Sequence, residues 1–211
     1  MSAAPVLRSV LYMPSSNARA LEKAKTIPAD AIIFDLEDAV APDAKDSART
    51  QAVAAVRSGE YGKRVLTIRC NGLDTAWGED DLLEAATSGA TAVVVPKVSG
   101  VEHLAHVVAV LDKAGAPDDL AVWAMVETPT AVLEVRAIAA VDRVSALVLG
   151  TNDLAKELRA ALVDQYRPDI YQRARVARQR TCPIGELIHP DGVQAVTDVD
   201  GAETGDGVVS G

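Results

Sequence analysis

The chain has 211 residues, enough for one domain with a substantial core, and its 49% hydrophobic and 24% charged content is that of an ordinary globular protein. With only 3% aromatic residues, aliphatic side chains must build the interior. A formal charge of −9 and a pI near 4.8 argue against nucleic acid or an anionic membrane surface as principal partner, while leaving room for a local basic pocket that takes an acidic metabolite. In chain order, SVLYMP (9–14) is a predicted strand followed by a helical stretch at 17–25. AIIFDLED (31–38) precedes a helical stretch at 43–56, and RVLTIRCNG (64–72) precedes one at 79–89. AVVVPKV (92–98) precedes 101–115, and LAVWAMVETP (120–129) precedes 130–141. ALVLGTNDLAKEL (146–158) is an apolar strand that runs through a polar turn into a helix.

The strands are short, β-branched-rich and apolar nearly throughout, as parallel strands covered on both faces are. The helical stretches carry apolar residues at helical spacing, as in Leu104, Val107, Val108 and Leu111. Units recur roughly every 25–30 residues, a length at which strand–helix–strand crossovers build a parallel sheet. A doubly wound sheet and a (β/α)8 barrel both fit this rhythm. No GxGxxG follows any strand, and a barrel would gather functional groups at the carboxyl ends of many strands.

The strand ends are where the ionisable residues fall. The second strand delivers Asp35, Glu37 and Asp38; the third, Arg69 and then Asn71; the fourth, Lys97; the fifth, Glu127; the sixth, Asp153. Each alone has an ordinary explanation: Asp43 or Asp153 as a helix cap, Lys97 as a solvated loop residue. Together they predict one charged mouth, where crowded carboxylates need a cation or the two basic groups to relieve their repulsion. Glu127 and Asp153, on adjacent strands with no His or Cys nearby, are the candidate metal ligands, and two carboxylates suit a hard ion such as Mg2+, with Mn2+ as a substitute.

Cys70 and Cys182 lie in no CxxC or zinc-type spacing, so no disulfide framework is expected. No run approaches the ~18 apolar residues that span a bilayer, and the first residues show no basic-then-apolar leader pattern. A cytoplasmic location is the expectation.

LYMPSS, FDLEDAV, IRCNG, VVPKV, VETP and GTNDL, in this order and spacing, resemble the HpcH/HpaI aldolase–citrate lyase family, and within it the citrate lyase β-subunit-like acyl-CoA lyases. The likeness runs over about residues 8–160. It implies a (β/α)8 TIM barrel and a Mg2+-dependent carbon–carbon lyase that cleaves a malyl-, citramalyl- or citryl-type thioester to a 2-oxo acid and an acetyl thioester. It further implies a homo-oligomer, trimeric or hexameric. Carried over residue by residue, Glu127 and Asp153 match metal-binding carboxylates, and Arg69 matches the arginine that contacts substrate oxygens. Asp35, Glu37 and Asp38 match an acidic cluster beside the metal. Arg69, Asp38 and Glu37 are then the candidate catalytic residues, and Arg69, Asp35, Glu127 and Lys97 the candidate substrate contacts. Lys97 is read as charge-balancing rather than as a Schiff-base nucleophile.

The resemblance breaks after residue 160. GELIHPDGVQAV (185–196) resembles the family's eighth-strand segment, but the preceding stretch, with Arg167, Arg173, Arg175, Arg178 and Arg180, shows no buried strand and lacks the expected Asp-Gly to Asn-Asp motif. The barrel is therefore expected to be incomplete at the seventh unit, in a single domain over 1–196 with a disordered tail at 197–211. His189 is read as catalytic or as a packing residue, and His103 and His106 as helix-surface residues. Two other functions stay open: an aldolase on free 2-oxo acids without CoA, and an inactive or regulatory binding homologue.

Overall fold

The computed structural model describes residues 7–159 and the backbone strand Gln194–Thr197. Strands β1 (Val10–Pro14), β2 (Ala31–Asp35), β3 (Val65–Arg69), β4 (Ala92–Val95), β5 (Ala121–Val126), β6 (Val144–Leu149) and β7 (Gln194–Thr197) form one parallel sheet in sequential order. Helices α1 (Ala18–Ala24), α2 (Lys45–Arg57), α3 (Gly78–Ala86), α4 (Val101–Lys113), α5 (Pro129–Ala139) and α6 (Thr151–Glu157) each follow a strand. This is the strand–helix repetition of a (β/α) barrel, and among the described residues no ladder joins β7 back to β1, so the sheet is not closed. The tail of the 185–196 segment thus supplies the strand that pairs with β6, in register from Ala146↔Gln194 to Leu149↔Thr197. His189, Cys182, the arginine-rich stretch and most of the 197–211 tail lie outside the described residues.

The continuous apolar runs are explained by two cores. On the outer face, Ile32 and Phe34 of β2, Ile68 of β3, Val93 and Val95 of β4 and Val122 and Ala124 of β5 pack under the helices. On the inner face, Ala31, Ile33, Ala92, Val94, Trp123, Met125, Ala146 and Val148 form a second cluster. Alternation along each strand sends successive side chains to opposite faces, so both faces must be apolar. The helices pack as the periodicity predicts, with one change: α4 buries Leu104, Val107, Val110 and Leu111, and Val108 is only half-buried. Asn17 caps α1 by accepting from the N–H of Ala20, and Thr128 caps α5 by accepting from Ala131, with Pro129 in the first turn.

Register places the charged residues. Pro14, Asp35 and Arg69 stand side by side across β1, β2 and β3, and Val126 pairs with Leu149, so that Glu127 and Gly150 leave β5 and β6 together. The inner face therefore turns from apolar to charged at the carboxyl end of the strands.

Candidate active site

Asp35 and Arg69 are register partners on neighbouring strands, and both point inward. Asp35 Oδ1 accepts from Arg69 Nε at 2.7 Å and from the Glu37 N–H at 2.8 Å; its Oδ2 accepts from Arg69 Nη2 at 2.6 Å and from the Ala39 N–H at 3.1 Å. Asp35, expected from the resemblance as a substrate contact, is held here by four hydrogen bonds. Buried, with both oxygens already engaged, it anchors Arg69 and the turn that follows β2. A planar guanidinium and a carboxylate on adjacent strands meet as a two-point fork, which fixes the arginine in one orientation.

That orientation leaves Arg69 Nη1 facing the mouth. It lies 3.0 Å from Glu37 Oε2 and 3.6 Å from Asp38 Oδ2, with Met125 Sδ at 4.0 Å and the Tyr12 ring centroid 5.2 Å from the guanidinium carbon. One side chain of β3 thus meets β1 and β5, each two strands away, as a concave sheet allows. Burial works against the Arg69 charge, but Asp35 and Glu37 outweigh it and hold the guanidinium firmly protonated.

Glu37 is 8% exposed. Its Oε1 lies 3.4 Å from Lys97 Nζ, while Oε2, although ion-paired with Arg69, has no hydrogen-bond partner among the described residues. Burial pushes its carboxyl up to about 7; Arg69 pulls the other way, and the charges of Asp38 and Glu127 add to the rise. Asp38 is the exposed member of the cluster, with 62% of its side chain accessible.

Glu127 is buried, and its Oε1 accepts a 2.6 Å hydrogen bond from the Lys97 N–H. Lys97 has φ of +50°, a backbone that non-glycine residues seldom adopt, and the turn it makes aims that N–H at Glu127. Lys97 therefore touches two acidic residues, one through its backbone and one through its ammonium. Burial raises the Glu127 carboxyl, the Lys97 N–H opposes this, and the negative charge of Asp153 raises it further. Asp153 sits in the first turn of α6 without capping it, since α6 has no side-chain cap; its Oδ1 accepts from Lys156 Nζ at 2.7 Å.

The arrangement tests which cation the site suits. Among the described residues no group of three or more His, Cys, Asp or Glu side chains is placed to hold a metal. A donor set of at most two carboxylates is wrong for a structural zinc or an all-protein calcium cage. It fits Mg2+, which keeps most of its coordination for water and substrate oxygens.

Sequence reasoning missed the network behind the mouth. Lys45 Nζ donates to the carbonyls of Leu36 and Glu37 and to Asn71 Oδ1, Asn71 donates to Asp81, and Asp81 accepts from Arg49. A signal was available: Lys45 lies on the stripe that α2 buries with Ala48, Ala52 and Val56, where an unpartnered lysine would be costly. His106 is exposed, and His103 is half-buried on α4, where it reaches the backbone of Lys97.

The sequence profile of the HpcH/HpaI aldolase/citrate lyase family matches residues 8–199. The chain belongs to this family. A (3S)-malyl-CoA thioesterase of Cereibacter sphaeroides is 49% identical over 162 residues, which are 77% of this chain and 53% of that protein. An L-malyl-CoA/beta-methylmalyl-CoA lyase of the same organism is 34% identical over 159 residues, covering 72% of this chain and 50% of the relative. Among solved structures, a citrate lyase beta subunit from M. tuberculosis, complexed with oxaloacetate and magnesium, superposes with a TM-score of 0.66 at 26% identity, covering 90% of this chain and 78% of that one. The chain spans about half the length of these two curated relatives. Family membership accounts for the barrel order, and both of those relatives act on malyl-CoA. Among the described residues, no helix is long and apolar enough to cross a membrane.

Proposed function

We propose that the chain is the catalytic part of an enzyme that hydrolyses the thioester of a malyl-type 3-hydroxyacyl-CoA with the help of Mg2+. The observation that carries this reading is Glu37: a buried carboxyl whose Oε2 is ion-paired with Arg69 but has no hydrogen-bond partner among the described residues, at the same strand ends as Glu127. The 49% identity to a malyl-CoA thioesterase supports the choice of substrate and reaction. Glu127 and Asp153 are the residues that would hold Mg2+, which when bound supplies positive charge for the carboxylate and hydroxyl oxygens of the acyl group.

The residues then divide the work. Arg69, fixed by Asp35, offers Nη1 to the oxygen on which negative charge develops. Glu37 takes a proton from a water molecule as the water oxygen adds to the acyl carbon; the carbon–sulfur bond breaks, and Glu37 returns the proton to the departing thiolate. Lys97 balances the charge of Glu37 and holds Glu127 through its N–H. A carboxyl that titrates near 7 suits both halves of this exchange.

The lyase expected from the sequence is the second reading, favoured by the 34% identical malyl-CoA lyase. There Glu37 would take the proton of the substrate hydroxyl instead, and carbon–carbon cleavage would leave glyoxylate and acetyl-CoA. One assay separates the readings. Purified protein with (3S)-malyl-CoA and Mg2+ is expected to release free CoA and malate, and Glu37→Gln to slow this by about 100-fold or more. Glyoxylate with acetyl-CoA establishes the lyase. Turnover of free hydroxy or oxo acids alone establishes the aldolase, and oxalate binding with no turnover of any of these establishes a binding homologue.

A further inference from the structure

We propose that Lys45 is a positioning residue of this site: its buried ammonium clamps the peptide carbonyls of Leu36 and Glu37, and so fixes the backbone that presents Glu37 to Arg69. The proposal rests on the reading of Glu37 as the proton acceptor. Lys45 opens α2 and is 6% exposed. Its ammonium has three N–H bonds and three partners: Leu36 O at 2.7 Å, Glu37 O at 2.6 Å and Asn71 Oδ1 at 2.7 Å. It has no donor left for a substrate, so it acts through the chain it holds.

The segment after β2 is gripped from two sides. The N–H groups of Glu37 and Ala39 donate to Asp35, while the carbonyls of Leu36 and Glu37 accept from Lys45. Asn71 reinforces the second grip, since its Nδ2 donates to Leu36 O at 3.0 Å and to Asp81 Oδ2 at 2.6 Å. Asp81 is itself held by Arg49 Nε at 2.7 Å. The Trp77 ring covers the ammonium at 5.4 Å. Trp77 is brought there by a tight loop in which a Cβ on Gly78 would lie 2.6 Å from the carbonyl carbon of Gly72. An apolar residue would fill the Lys45 position with less desolvation cost. A lysine there is explained by the two carbonyls that follow β2, which are buried against it and have to be paired.

The test is Lys45→Met, read in two ways. Hydrogen exchange without substrate is expected to accelerate about 10-fold or more at the Glu37 and Ala39 amides, with β5 and β6 amides unchanged. With malyl-CoA, kcat is expected to fall about 10- to 100-fold while KM stays within about 3-fold. Uniform loosening of the whole sheet, or unchanged protection at Glu37, overturns the proposal. Should Lys45→Met aggregate, Asn71→Ser removes one ammonium partner and is expected to give the same local exchange signature; unaltered exchange there also overturns it. A wild-type protein that leaves malyl-CoA intact sinks the functional reading alone, because the exchange arm still decides the clamp.

Discussion

Glu37 illustrates how burial sets chemistry at the scale of one residue. Its carboxyl is raised to about 7, against 4.5 for an ordinary glutamic acid, because it is desolvated beside Asp38 and Glu127. The folded protein therefore holds the Glu37 proton more tightly than the unfolded chain does. Between the two values unfolding releases that proton, so Glu37 makes stability fall as pH rises from about 4.5 to about 7. Glu37→Gln is expected to remove this slope and to melt higher than wild type at pH 8, measured by calorimetry across the range. For activity the sign reverses: kcat/KM is expected to rise with pH through about 7, as the carboxylate form accumulates, and then level off. Asp35 makes the contrast. It is buried more deeply still, and both of its oxygens are paired with Arg69.

At the scale of elements, the β6–α6 junction decides whether Glu127 can keep its place. A Cβ on Gly150 would lie 2.7 Å from Glu127 Cβ, closer than real atoms pack. Gly150→Ala is therefore expected to displace Glu127 and weaken Mg2+ binding by about 10-fold or more in calorimetry, as loss of support around a metal ligand does. The glycine was visible in GTNDL, but its reason was not: it stands opposite Glu127 only because Val126 and Leu149 share a register. The elements themselves were legible, since a strand buried on both faces must be apolar throughout and a helix must show its stripe. The exchange of Val108 for Val110 in the face of α4 is a rotation that helix-to-helix packing sets and periodicity leaves open.

At the scale of the molecule, Glu127 and Asp153, the residues proposed to hold Mg2+, come from separate β/α units, so that binding by both would link the ion to folding. Mg2+ at about 100 times its dissociation constant adds ~2.7 kcal/mol, which raises Tm by roughly 5–10 °C in a chain of this size. Thermal denaturation is expected to show this shift in wild type and to lose it in Glu127→Gln and Asp153→Asn. A shift that survives both substitutions would place the ion elsewhere.

A doubly wound sheet and a barrel both fit the sequence pattern until the family resemblance pointed to the barrel, but apolar runs and the order of charged strand ends were enough, by themselves, to determine parallel strand–helix units with charged residues at their strand ends. They did so because both requirements are local: a buried strand needs apolar neighbours along the chain, and a strand end needs a break in them. Which of those groups are free to act was decided only by the tertiary structure. Asp35 is held by Arg69, Glu37 keeps one oxygen with no hydrogen-bond partner among the described residues, and Lys45 joins the network from a helix, because hydrogen-bond partners are distributed by register and packing between segments far apart in the sequence.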